Sequence, residues 1–240
     1  MENRKFKDNQ ARGEMWTPKT RLGLLVKNGH IKSIDEIFKH SLRIQEPEIV
    51  DHLLGKDKLQ EELLSIKSVQ KQSKAGQKTS MKVVAIVGNG TGYIGLGTHS
   101  AREMSTSIKG AISKAKMNIF PVRMGQWEGL GTNKHTVACK ASGKCGTVIV
   151  KVVPAPIGTG NAWSDIQRRI FELAGIQDIF IKSFGCTRTT ENLAKATLLA
   201  LKKSSAMYIP SQWNDSRISE NPFIKHSDTI RQLEKKNLAQ

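Results

Sequence analysis

The sequence predicts an α+β chain with two successive α/β units, on three observations. MKVVAIV, from residue 81, is a β-branched apolar run that ends in a glycine-rich turn. Met104, Ile108, Ile112, Ala115 and Ile119 then recur at helical spacing. From residue 134 onwards, apolar runs alternate with capped amphipathic segments.

Residues 1–15 are polar and read as a disordered N-terminus, followed by a helical extension over 16–66. Within it, Ser33-Ile34-Asp35-Glu36 is a capping box, Pro47 suits a first helical turn and Gly55 suits a helix end. KLQEELLSI reads as a further amphipathic turn or two. VQKQ is a first strand, SKAGQKTS a basic loop, and MKVVAIV and YIGLG the next two strands. Ser100-Ala101-Arg102-Glu103 is a second capping box, and Pro121 stops the helix it opens. The first unit is therefore β-β-β-α over 67–124, with its helix across one face of a small antiparallel sheet, and 125–133 is a linker loop. In the second unit, 134–205, HTVACKA and TVIVKVV form strands around Ser142-Gly143. Ser164 caps DIQRRIFELA, Gly175 ends it, IQDIFIKSF is a strand, and Thr189 or Thr190 caps ENLAKATLLALKK. The order is β-β-α-β-α, and 206–240 reads as an irregular tail.

The net charge of +17 on 240 residues points to a polyanionic partner, and nucleic acid is the commonest. The charge is concentrated. Between Leu63 and Ser164 there are fourteen Lys and Arg but only two carboxylates, Glu103 and Glu128. A membrane-surface protein would need a basic amphipathic helix or a lipidation signal. Met1 is not followed by glycine, and the chain ends NLAQ, so no membrane partner is expected. No apolar run approaches a transmembrane span, and three cysteines do not make a disulfide framework. These features predict an intracellular protein.

Gly90-Thr91-Gly92-Tyr93-Ile94-Gly95 matches a dinucleotide fingerprint, but that motif must open a helix and be followed by an acidic residue. Here YIGLG continues as strand, so the run reads as a hairpin turn. His135, Cys139 and Cys145 lack a fourth ligand for zinc, and His99 and His135 read as hydrogen-bonding or phosphate-contacting groups. No nucleophile elbow, Walker loop or paired carboxylates occur, so no enzyme, cofactor or metal is expected. The candidate nucleic-acid contacts are Lys67, Lys71, Lys74, Lys78 and Lys82 around Gly76, where glycine lets the backbone come close to phosphate. Arg102, Arg123, Lys134, Lys140 and Lys144 extend the basic set, and Gly158 and Gly160 in PAPIGTGNAW offer backbone N–H groups.

KQSKAGQKTSMKVVAIVGNGTGYIGLGTHSAREMSTSIKGAISKAKMNIFPVR resembles the first domain of the S-five family of small-subunit ribosomal proteins. HTVACKASGKCGTVIVKVVPAPIGTG and AGIQDIFIKSFGCTRTTENLAKATLLAL resemble its second domain. The segment from Glu14 to Gly55 is similar to the extension of the archaeal and eukaryotic branch, and YIPSQWNDSRISENPF to the eukaryotic member, called S-two. The resemblance implies a double-stranded-RNA-binding-like first domain and a second α/β sandwich holding a left-handed βαβ unit. It also implies binding of small-subunit ribosomal RNA near the messenger entry, beside the S-three and S-four families, with a part in decoding accuracy and messenger unwinding. The implied location is the cytoplasmic ribosome, with a nuclear or nucleolar stage during assembly in a eukaryote. Two features depart from the family. Only Ala11-Arg12-Gly13 stands where eukaryotic members carry arginine-glycine repeats, and the basic loop uses Lys and Gln rather than arginine. Contacts there should be phosphate-like rather than bidentate. The alternatives are a free double-stranded-RNA-binding regulator and, from the enzyme class, a nucleotide-dependent enzyme using the glycine turn.

Overall fold

The computed structural model describes residues 16–127, 134–161, 163–206 and 221–238. The expected disordered stretch 1–15, most of the linker and much of the tail lie outside the described residues. The chain divides into two compact units, Met1–Leu53 with Glu220–Gln240, and Leu54–Ser219.

The first unit holds α1 (Arg21–Lys27), α2 (Ile34–Lys39), α3 (Pro47–Val50), α4 (Pro222–Lys225) and α5 (Ser227–Leu238). Thr20 caps α1 by accepting from the Gly23 N–H at 3.1 Å. Ser33 begins α2 as expected, but its hydroxyl donates to the Glu36 carboxylate rather than capping a backbone group. Pro47 does open α3. The Glu46 carboxylate ties the entry segment down, accepting from Trp16 Nε1 at 2.9 Å and from the Lys19 and Thr20 N–H groups. Leu25, Val26, Ile31, Ile37, Ile49 and Val50 are buried. The tail is not wholly irregular. Asn221 caps α4, α5 packs on α1, and Arg21 pairs with Glu234 at 2.8 Å.

The second unit carries both α/β halves. Its first sheet runs β1 (Gln60–Ser73), β2 (Gly76–Gly88), β3 (Tyr93–Ala101) and β4 (Phe120–Pro121), all antiparallel. MKVVAIV reads as a continuous apolar run because both of its faces are covered. Val83 and Ala85 pack with Ala111, Ile108 and Ile112 of α6 (Met104–Met117), while Ile86 joins the core of the second half. KLQEELLSI is not an amphipathic helix: after Lys58, the end of a short 3-10 turn, residues 60–66 are the first half of β1, held to β2 from Gln60↔Gly88 onwards with one bulge at Leu63/Ser65. Ser100 does not cap α6 either. It remains in β3, and Glu103 occupies the N-cap position. Asn118 ends the helix ahead of Pro121.

β5 (Met124–Gly125) pairs with β6 (Thr136–Val137). The second sheet is β7 (Ala141–Cys145), β8 (Val148–Pro154) and β9 (Ile179–Phe184), with α7 (Asp165–Ala174) and α8 (Thr190–Ser205) on one face. The turn between β7 and β8 falls at Gly146, φ +58°, not at Ser142-Gly143. Gly143 lies within β7, where a Cβ would strike the backbone of Ala196 and Ala200, so its lack of a side chain lets α8 approach the sheet. Ser164 and Thr189 stand at the helix N-caps and Gly175 at the αL C-cap. The left-handed βαβ unit implied by the resemblance is not formed by β8, α7 and β9. These strands are antiparallel neighbours, so the handedness rule for parallel crossovers does not apply. One core runs through both halves, joining Ile86, Ile94 and Val122 to Val148, Phe171 and Leu201.

Candidate nucleic-acid interface

The lysine segment is a projecting arm rather than a loop. Pairing of β2 with β3 ends at Met81↔Ala101, while pairing of β1 with β2 continues to Ser73↔Gly76. The residues between form a two-stranded ribbon on the order of 17 Å long, from the rise of a strand. Its tip is a two-residue loop, Lys74-Ala75. Gly76 follows at φ +107°, a conformation L residues avoid, and Ser73 Oγ donates to the Gly76 carbonyl at 2.7 Å.

Register places Lys67 opposite Lys82 and Lys71 opposite Lys78, all on one face of the ribbon. Like charges directly across a strand pair disfavour the sheet, and an approaching polyanion relieves that repulsion. Lys67, Lys71, Lys74 and Lys78 are exposed and have no carboxylate partner among the described residues.

Lys82 differs. Its Nζ lies 2.6 Å from Glu191 Oε2, at the start of α8, and it is half-buried. Glu191 also accepts from Lys195 Nζ at 2.6 Å. Hydrogen bonds from Lys195 and then Lys82 hold the Glu191 carboxyl below the ordinary carboxylate range. Lys82 therefore clamps the arm's base onto α8, beside a Thr190–Ser65 hydroxyl contact of 3.1 Å.

The other basic residues do not converge on one patch. Arg102 is exposed at the arm's base, next to Ala101. Arg123 is half-buried, and its backbone N–H donates to Ser205 Oγ at 3.0 Å. Lys134 and Lys140 are exposed around β6, and Lys144 is exposed on β7. Gly160 departs from the expectation. Its N–H donates to the buried Asp178 carboxylate at 2.8 Å and so is not offered to a phosphate, whereas Gly158 is exposed. Of the two histidines, the half-buried His99 ring lies against Gly110, and His135 is buried with Nδ1 3.7 Å from Asp178.

Gly90 and Gly92 turn β2 into β3 with no helix following, and Asn89 Oδ1 accepts from the Thr91 and Tyr93 N–H groups. Cys139 contacts Ser204 and Cys145 contacts Asn192, so these thiols point to separate partners.

The outer face of the second sheet was not anticipated. Lys151 and Lys182 pair across β8 and β9, with Nζ atoms 5.3 Å and 5.5 Å from the Phe184 ring centroid. Phe180 and Phe184 are 42% and 39% exposed, too open for core residues. The period-2 alternation of IFIKSF carried that signal, since Ile179 and Ile181 point inward and Phe180, Lys182 and Phe184 outward.

Two family models match the chain. Ribosomal protein S5, N-terminal domain, covers residues 59–123, and ribosomal protein S5, C-terminal domain, covers 143–212. The chain is similar to the small ribosomal subunit protein uS5 of Candida albicans, 41% identical over 213 residues, 89% of this chain and 85% of that protein. It is also similar to the small ribosomal subunit protein uS5 of Schizosaccharomyces pombe, 41% identical over 221 residues, 92% and 87% of the two chains.

Proposed function

The chain belongs to the ribosomal protein S5 family and is a structural constituent of the small ribosomal subunit, and from that premise we propose that the lysine arm anchors it on ribosomal RNA phosphates. The observation that carries this reading is the register: Lys71 and Lys78, directly opposed and both unneutralised, stand on a ribbon that projects beyond its sheet, with Lys67 and Lys74 exposed on either side of them. Lysine supplies point charges and no planar fork, so the arm reads phosphate rather than base edges. Lys67, Lys71, Lys74 and Lys78 make those contacts, with Arg102 at the base. Lys134, Lys140 and Lys144 contribute to the general field, and the Gly158 N–H reaches a phosphate.

In this proposal the protein sits on the cytoplasmic ribosome near the messenger entry, beside members of the S-three and S-four families, after nuclear or nucleolar assembly. Its part in decoding accuracy and messenger unwinding is positional, and it performs no chemistry of its own. Gradient fractionation of cell extract tests the reading. A subunit constituent stays with small subunits through a high-salt wash. A chain released to the top of the gradient under those conditions would be a free RNA-binding regulator instead.

A further inference from the structure

We propose that the outer face of the second sheet is a separate binding platform for single-stranded RNA, with bases stacked on Phe180 and Phe184. The two helices of this half, α7 and α8, pack on the inner face through Ile170, Phe171, Leu193 and Leu201, with Gln167 bonded to Ser183, while Phe180 and Phe184 on the other face are exposed among the described residues. Alternation along β8 and β9 puts Ile149, Lys151, Phe180, Lys182 and Phe184 on it, and Lys144 of β7 pairs with Ile149. No carboxylate stands among the outward residues of these three strands. A protein-binding patch of this size would be depleted in lysine at its centre. Here Lys151 and Lys182 stand at the centre, against the Phe184 ring. Aromatic rings set in a sheet face whose charged residues are all lysines match the requirements of an exposed nucleic-acid strand, with rings for bases and ammonium groups for the intervening phosphates.

The spacing selects single strands. Phe180 and Phe184 are four residues apart on one strand, roughly 13 Å. Consecutive stacked bases rise only about 3.4 Å along a duplex strand, so one base per ring requires a splayed, unpaired segment. Duplex bases are also stacked inside their helix and cannot reach a ring.

This platform is distinct from the arm, and the two are separable by experiment. The full chain is titrated with fluorescein-labelled octa-adenylate and with an RNA duplex of about 16 base pairs, the span of a double-stranded-RNA-binding fold. Phe180→Leu/Phe184→Leu keeps an apolar surface but removes the rings, and both positions are exposed, so circular dichroism should be unchanged. The expected result is a loss of about fivefold or more in octa-adenylate affinity per ring, with duplex affinity retained. The Lys71→Gln/Lys74→Gln/Lys78→Gln variant should show the converse, losing duplex and keeping octa-adenylate. Wild-type octa-adenylate affinity in the leucine variant would overturn the platform. So would octa-adenylate failing to bind while the leucine variant loses a neighbouring protein from reconstituted subunits, which would make the face a protein contact.

Discussion

Lys82 Nζ lies 2.6 Å from Glu191 Oε2, so the lysine opposite Lys67 holds the arm to α8 instead of facing outward. Glu191 is the hub, because Lys195 reaches its other oxygen at 2.6 Å. Its folded-state pKa is lowered, chiefly by those two hydrogen bonds. A depressed carboxyl pKa contributes stability that is present above the unfolded value, about 4.5, and is lost as pH falls through the folded value. Glu191→Gln should therefore lower the melting temperature at pH 7, at a cost on the order of 1 kcal/mol because both lysines are partly exposed. Melts across pH should show the wild type and variant converging in acid. Parallel curves would mean that the carboxylate does not titrate with folding.

Changing Lys71, Lys74 and Lys78 to glutamine should flatten the salt dependence of RNA binding by about one log–log unit per charge, near three in all, by analogy with DNA. The free protein should be no less stable, since Lys71 and Lys78 repel each other across the ribbon. Lys82→Gln should do the opposite, lowering the melting temperature while leaving the slope alone. Binding isotherms at several salt concentrations, with circular dichroism as the folding control, distinguish the two. An unchanged slope in the triple variant would place the anchor elsewhere.

The contrast between Lys78 and Lys82 shows where the sequence stops being legible. The two lie on the same face of β2, and nothing local separates them. Only the fold brings Glu191, far along the chain, to one and not the other. Strands with their own apolar signal, such as MKVVAIV and TVIVKVV, were readable, as were the helix ends at Asn118-to-Pro121 and Gly175. β1 was not readable along QEELLSI, because its charged, helix-compatible residues become a strand through pairing with β2. α5 was missed for a related reason: SDTIRQLEKKNL is mostly polar, and Ile230 is its buried apolar anchor among the residues whose side chains are described. Gly160 was misread because its N–H partner, Asp178, meets it only after α7 has folded the chain back.

Gly97→Ala should be among the most damaging small substitutions in the first half. A Cβ there would meet the Ala111 carbonyl and the Ala115 N–H of α6, which are backbone groups that cannot rotate away. The helix must then lift off β3, disturbing the small cluster of Val83, Ala85 and Ala111. The expected loss is about 1–3 kcal/mol, the usual cost of overpacking. Denaturant unfolding measures it, and a change within error would mean that α6 moves at little cost. Gly76→Ala, at an exposed tip with open space around it, should show only the strain of its positive φ.

Asp178 provides a sharper test of the loop between β8 and α7. The residue is buried, and its carboxylate accepts the Gly160 N–H at 2.8 Å and faces His135 Nδ1 at 3.7 Å. The same loop is held by Asn161 Nδ2 donating to the Ile176 carbonyl at 2.7 Å and by Trp163 Nε1 donating to the Ile179 carbonyl at 2.9 Å. Asp178→Ala would leave the Gly160 N–H without its acceptor and His135 without its nearest carboxylate. A buried donor stripped of its partner costs about 1–3 kcal/mol. Asp178→Asn keeps a carbonyl oxygen for Gly160 and should recover part of that loss. If the Gly160 N–H were a phosphate donor alongside that of Gly158, freeing it in Asp178→Ala would raise RNA affinity. Because the Gly160 N–H is already committed, the expected outcome is lower stability with unchanged affinity for the RNA duplex, read by melting and by titration on the same samples.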